Sequence, residues 1–472
     1  MVDSPRPINS QVLKQVLPIL SDYYRIPPET LGRISIAQSS TEAGFFQFGA
    51  ETICYGQCAA GVSSNIEKSK KFDAYAGVQR GGAELHLPFD PGVVIENLRR
   101  ERYEPSLTPG LEKFFSQGWV LKSYYSLRQE IPVALRRKLQ RLYLSGWKNR
   151  PFPAWPVDFT VDTLHEKLLR LSMEAAGCQR LPFIWFWPNG ASNCLTLTHD
   201  VETSAGRDFS SQLMDLDDSY GFKASFQVVP ESRYPVPDSY VQSIVSRGCE
   251  FNIHDLNHDG LLYAERQEFL RRAKKINEYC RRYGAKGFRA GSMYRNLDWY
   301  DAYDFSYDMS APNVAHLEPQ RGGCCTVFPF FVGDVLEIPL TTSEDYSIFH
   351  IMSDDSVSIW KQQIGLLRQR NGLISILSHP DYLLSSRQQQ LYESLLHHLR
   401  EMVSREKIWS VLPREVDQWW RARSQMKLLQ KNGDWVIEGP DKERARIAYA
   451  VLDGDRLVYE LDSRVAPEFA PR

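Results

Sequence analysis

Leu195-Thr-Leu-Thr-His-Asp-Val-Glu202, taken together with Glu250-Phe-Asn-Ile-His-Asp-Leu-Asn-His258 further along the chain, decides how this protein folds. Each stretch is a short apolar strand that stops at a cluster of acidic or imidazole side chains. Strand alternation places Thr196, Thr198 and Asp200 on one face and Leu197 and His199 on the other. The same alternation turns His199 away from Asp200, toward packing or a supporting contact rather than metal binding. Asp200 and Glu202 share a face if the extended path continues. They are then either an acidic turn or two carboxylates that divide labour, one holding a cation and one carrying a proton. His254 and His258 face one point if their segment is a helical turn. A carboxylate with two imidazoles is the donor set of a three-ligand catalytic zinc site with an open position.

The same alternation of strand and helix runs outward from these two stretches. Further strands are expected at Ala224–Val229, Gly287–Ala290, Phe305–Met309, Val335–Pro339 and Leu373–Leu377, with Cys194–Thr198 and Glu250–Ile253 as the strands of the opening motifs. Helical spacing covers Arg207–Tyr220, Ser239–Ser246, Tyr263–Tyr283, Val357–Arg370 and Arg387–Val403. This order predicts an α/β fold with a parallel sheet, doubly wound or barrel-like. In parallel barrels, chemistry collects at the carboxyl ends of the strands. Asp200, Glu202, His254, Arg289 and His379 all fall at such ends.

Arg289, in Gly287-Phe-Arg-Ala-Gly-Ser-Met293, is placed to pair with a catalytic carboxylate and keep it ionised, or to sit exposed at an ordinary turn. The Gly291-Ser292 turn can offer a backbone N–H to a developing oxyanion. His379 stands between a strand end and a proline, where an imidazole can protonate a leaving amine. Asp308 could hold that histidine, and could equally cap a turn.

Composition narrows the function classes. A length of 472 residues allows two or three domains. The formal net charge of -2 supplies no basic field for nucleic acid or an anionic membrane surface, so neither is an expected partner. No apolar run is long enough for a membrane-spanning helix, and the opening residues lack the layout of a secretory signal. The chain is therefore expected in the cytoplasm. None of the 8 cysteines forms a Cys-x-x-Cys pair, so a four-cysteine zinc site and a disulfide framework are both disfavoured.

Three regions are expected: an α+β region over 1–150, a barrel over 151–425 and a small antiparallel β module over 426–472. In the first, Val12–Tyr24 has helical spacing, and Gly44–Gly49 with Cys54–Gly56 suggests short strands. Val133–Tyr143 is a basic helix whose charges suit solvent better than an anion. Pro-rich Pro151–Pro156 links into the barrel. In the last region, Trp435–Ile437, Ala445–Ala450 and Arg456–Glu460 suggest three strands, with Asp453-Gly454 as a tight hairpin.

The motifs in this order resemble the polysaccharide deacetylase family, carbohydrate esterase family 4, also called the nodulation-deacetylase homology domain. The resemblance covers roughly residues 180 to 425. Leu197-Thr-His-Asp-Val-Glu202 stands for the family's Thr-aromatic-Asp-Asp, His254 and His258 for its His-Ser/Thr-x-x-His, Arg289-Ala-Gly291 for its Arg-x-Pro, Tyr307-Asp-Met-Ser310 for its acidic/aromatic segment and Leu377-Ser-His379 for its Leu-x-His. Three positions depart: Asp-Val-Glu replaces Asp-Asp, Gly291 replaces the proline, and His199 replaces an aromatic. The resemblance implies a distorted (β/α) barrel and a metal-dependent hydrolase of N-acetyl groups. It implies Asp200 as general base, Glu202, His254 and His258 as metal ligands, Arg289 orienting Asp200, and His379 as general acid. Zn2+ is the first expectation for the metal, with Ni2+, Co2+ and Fe2+ as alternatives. An N-acetylated saccharide or related amide is the implied substrate, in surface polysaccharide synthesis. An amidohydrolase on a non-sugar amide and a non-catalytic glycan-binding scaffold are the competing readings.

Overall fold

The computed structural model describes residues 17–27, 30–31, 33–37, 42–82, 84–107, 133–144 and 146–462. Its centre is a nine-stranded sheet. We number its strands β1 (Asn193–Val201), β2 (Ala224–Val228), β3 (Glu250–His254), β4 (Gly287–Arg289), β5 (Tyr307–Asp308), β6 (Phe330–Val332), β7 (Val335–Glu337), β8 (Leu373–Ser378) and β9 (Ile408–Ser410). The helices that follow β1, β2 and β3 are α1 (Ser204–Ser219), α2 (Asp238–Val245) and α3 (Arg266–Tyr283). Helix α4 (Ser358–Gln369) precedes β8, α5 (Ser386–Arg405) follows it, and α6 (Pro413–Gln425) follows β9.

The strands lie in the order β6-β7-β5-β4-β3-β2-β1-β8, with β9 beside the start of β1. All pairs are parallel except β6 with β7. Every residue of β1 is buried, as expected of a parallel strand covered on both faces. The sheet must curl. Arg289 on β4 reaches Thr198 Oγ1 (2.9 Å) and Asp200 Oδ1 (2.8 Å) on β1, with β2 and β3 between them. In a flat sheet those strands would stand roughly 14 Å apart, beyond the reach of an arginine. The gap between the β7 side and β8 is bridged by hydroxyls instead of a ladder. Thr341 Oγ1 donates to the Leu373 carbonyl (2.8 Å) and Thr342 Oγ1 to that of Ser375 (2.7 Å). The fold is thus the distorted (β/α) barrel expected, with β6 and β9 as strands that the apolar patterning did not mark. Asp308 ends a strand of only two residues, where Phe305–Met309 was expected.

The N-terminal region is α+β. Its main described elements are helix Leu17–Tyr24, a three-stranded sheet of Arg33–Ile36, Glu84–Leu87 and Gln79–Gly81, the hairpin Gly44–Gln47/Ile53–Gly56 and helix Pro91–Arg99. Asp90 caps that helix, accepting from Gly92 N at 2.9 Å. The tail holds four strands, not three: Lys427–Lys431 pairs with Asp434–Glu438, and Ile447–Asp453 with Arg456–Leu461. Gly454 takes a left-handed φ of 57° in the expected hairpin turn. Strand Arg180–Ile184 pairs with Ile447–Asp453, so the chain leading into the barrel is stitched to its tail. Two buried arginines extend that stitching. Arg423 of α6 donates to the carbonyls of Tyr23, Ile184 and Trp185. Arg295 Nε donates to Glu101 Oε2 at 2.6 Å, tying the N-terminal region to the loop after β4. One continuous apolar core runs through all three regions. No helix among the described residues is long and apolar enough to cross a membrane.

Candidate metal centre

Strand alternation and curl bring six of the expected residues to one end of the barrel. Asp200 is the eighth residue of β1 and points inward, while His199 points outward. His199 Nε2 meets Asp217 of α1 at 2.9 Å, and its Nδ1 meets Ser378 Oγ at 3.0 Å. Its partners are structural, on the face away from the pocket.

Glu202 follows the strand. Its backbone N–H donates to Asp381 Oδ2 at 3.0 Å, and Asp381 also accepts from the Thr203 hydroxyl at the start of α1. Gly206 makes this possible, because a Cβ there would lie 2.4 Å from Asp381 Oδ2. Asp381 thus anchors the backbone at Glu202 and Thr203, and sequence reasoning passed over it. It stands two residues beyond His379 in the loop that Leu-Ser-His opens.

His254 closes β3, but the segment to His258 is not a helical turn. Asp255 and His258 both take left-handed φ values, 55° and 54°. This strained path, of a kind found at functional sites, brings the two rings to 4.8 Å between centroids. His254 Nδ1 donates to the Arg289 carbonyl at 3.0 Å, which turns Nε2 inward as a free lone pair. His258 Nε2 lies 3.0 Å and His254 Nε2 3.9 Å from Glu202 Oε1. Both histidines are buried, yet neither Nε2 makes a hydrogen bond within the protein. Donor atoms of Glu202, His254 and His258 all lie within 4.8 Å of one another. Two buried, unpartnered imidazole nitrogens facing one carboxylate fit a divalent cation.

Gly291 explains the missing proline. A Cβ there would sit 2.6 Å from Asp255 Oδ2 and 3.0 Å from the His258 ring. The backbone approaches the imidazole too closely for any side chain. Ser292 and Met293 follow with φ values of 55° and 52°, and both line the pocket.

The electrostatics separate the remaining groups. Burial alone would push the Asp200 carboxyl up, but Arg289, His254 and His379 outweigh it and hold the group below the ordinary carboxylate range. Burial likewise opposes ionisation of Glu202, and His258, His254 and His379 hold it well below its usual value. His379 moves the other way. Burial disfavours its charged ring, yet Asp345, Glu202 and Glu344 around it raise its pKa well above that of an ordinary histidine.

The carboxylate behind His379 is Asp345, not Asp308. Asp345 Oδ1 faces His379 Nδ1 at 2.6 Å, and its Oδ2 accepts the His379 backbone N–H at 2.8 Å. Asp308 is a strand-end cap, accepting from Tyr300 (2.5 Å), Ser310 Oγ (2.8 Å) and Ser310 N (3.1 Å). It reaches the site only indirectly, since Ser310 Oγ accepts from the Ala290 N–H. Asp345 was overlooked because it opens a helical turn past β7 that no apolar pattern marks. The strand-end rule, carried eight residues past β7, would have met it.

The pocket has an open volume of about 560 Å³, counting its mouth. Besides Asp200, Glu202, His254, His258 and His379, its wall includes Glu318, Glu344, Tyr346, Tyr382 and Gln140. Gln140 comes from helix Val133–Leu144 and accepts a hydrogen bond from the Tyr346 hydroxyl. One side of that expected solvated helix therefore faces the pocket.

No family model matches the chain, and no curated protein matches it. Solved structures similar to it include a protein from Mycobacterium smegmatis assigned as a polysaccharide deacetylase, at 16% identity, 53% of this chain, 98% of that chain and a TM-score of 0.42. Puue allantoinase matches at 12% identity over 50% of this chain and 92% of its own, with a TM-score of 0.41. The peptidoglycan deacetylase PdaC from Bacillus subtilis matches at 13% identity over 49% and 92%, with a TM-score of 0.32.

Proposed function

We propose that this protein is a metal-dependent hydrolase that removes an N-acetyl group from a saccharide or saccharide precursor. The observation that carries the reading is the pair of buried imidazole nitrogens, each without a hydrogen bond, converging on Glu202 beside an ionised Asp200. Glu202, His254 and His258 would hold the ion, and two imidazoles with a carboxylate suit zinc and its first-row neighbours. When bound, such an ion polarises the acyl carbonyl and makes water more acidic at neutral pH.

The chain's own residues supply the proton traffic. Asp200, kept ionised by Arg289, takes the proton of the water whose oxygen attacks the acyl carbon. The backbone N–H of Ser292, in the turn that lines the pocket, would orient the acyl oxygen. His379, kept protonated by Asp345, gives its proton to the nitrogen as the C–N bond breaks. Acetate and a free amine leave, and the proton held by Asp200 returns the site to its starting state by way of solvent and His379.

Acetate release by the zinc-loaded protein from N-acetylglucosamine oligomers, beside a panel of small amides, tests the reading. Asp200→Asn should lower kcat by about 10²–10⁴-fold while metal content stays at the wild-type level. Turnover retained in that variant removes Asp200 as the base. Acetate from the amides alone would favour a non-sugar amidohydrolase.

A further inference from the structure

The pocket wall holds more acid than the proposed chemistry uses. Glu318 and Glu344 are 7% and 9% exposed, and each has an oxygen near Ser347 Oγ, at 3.5 Å and 3.3 Å. One hydroxyl hydrogen cannot serve both, so at least one of these carboxyls has capacity left for another donor. Glu344 Oε2 lies 3.9 Å from His379 Nε2, beside the bond that would break. Tyr346 and Tyr382 stand on the same wall. Among the described lining residues, none is Lys or Arg, and Arg289 behind the wall is already paired with Asp200. Such a wall offers an anionic group no Lys or Arg, and offers a cation two carboxyls.

Resting on the hydrolase reading above, we propose that the substrate is an N-acetylated amine that also bears a free ammonium group, received by Glu318 and Glu344 near His379. The acetyl nitrogen and the ammonium would belong to one small molecule or to adjacent residues of a partly deacetylated amino sugar. The electrostatics agree. Burial pushes the Glu318 carboxyl up to about 7, even with Arg295, His379 and Arg321 near it. Burial and the charge of Glu318, with Asp345 and Glu202 nearby, raise Glu344 well above the ordinary carboxyl range, against the pull of His379. A pair this reluctant to ionise alone gains most from a cation placed against it.

Four probes test the idea on the zinc-loaded full-length protein. Mono-N-acetylchitobiose and N-acetylputrescine carry an ammonium group, and di-N-acetylchitobiose and N-butylacetamide are their neutral counterparts. The expected kcat/KM is at least about tenfold higher for the charged member of a pair, the scale of one charge-assisted hydrogen bond. In the double variant E318Q/E344Q that ratio should fall toward one. A preference in the sugar pair alone would identify an amino sugar, and one in the acyclic pair alone a polyamine-like substrate. A wild-type ratio of one or less, or a ratio unmoved in the double variant, overturns the proposal. If no probe releases acetate, the hydrolase reading fails, and calorimetry with putrescine decides the rest. Binding to wild type that weakens at least about tenfold in E318Q/E344Q upholds ammonium recognition, and no difference overturns it.

Discussion

At the scale of single residues, the candidate site is an arrangement of proton states. Arg289 and Asp345 each face one working group and push it in opposite directions. His379 illustrates the sign. Its raised folded-state pKa means the acid form persists through neutral pH and is lost as pH rises through that value. The alkaline limb of kcat should therefore lie well above the ordinary histidine range. Asp345→Asn removes the charge that holds it there, and the limb should move down toward about 6.5, read from kcat against pH. A limb that stays in place would mean that another group carries the proton. Asp200, Glu202, His254, Arg289 and His379 were legible in the sequence because each stands at or just past a strand end, and His258 because of its spacing from His254. Asp345, Asp381, Glu318 and Glu344 were not. They sit in loops and short helical turns that no periodicity marks, and only the closed barrel brings them to the site.

At the scale of elements, strand ends place ligands, and loops with unusual backbone aim them. The turn after β4 is the tightest example. Gly291 lets the chain pass against Asp255 and His258, and the left-handed Asp255 and His258 depend on that space. Gly291→Ala should keep the barrel folded but weaken metal affinity by about 10–100-fold, measured by competition with a chelator. Unchanged affinity would mean the loop yields without disturbing His258. The strands themselves were largely legible, since β1, β2, β3 and β8 carry unbroken apolar or alternating runs. β6 and β9 escaped notice because three residues give too short a pattern to separate from loop. The histidine segment was expected as a helical turn from spacing alone, and nothing in the spacing announces left-handed φ at Asp255 and His258.

At the scale of the whole molecule, the flanking regions are built into the barrel. Glu101 meets Arg295 as a fully buried pair, and Arg423 sits among three carbonyls from two distant segments. Removing one partner of a buried pair strands the other charge. Glu101→Gln should therefore cost about 3–5 kcal/mol, seen in denaturant unfolding of the full chain. A loss well under 1 kcal/mol would mean that the N-terminal region contributes little to the barrel's stability. The sequence pattern suggested three regions and carried no sign of their contacts. The pairing of Arg180–Ile184 with the tail joins segments far apart in the chain, and no local pattern encodes it.

The account turns on a divalent ion seated between Glu202, His254 and His258. Metal content of the purified wild-type protein and of His258→Ala, measured by plasma mass spectrometry after zinc loading and dialysis, tests this most directly. The account predicts close to one ion per wild-type chain, and loss of that ion in His258→Ala together with hydrolytic activity. Equal metal content in the two proteins would contradict it.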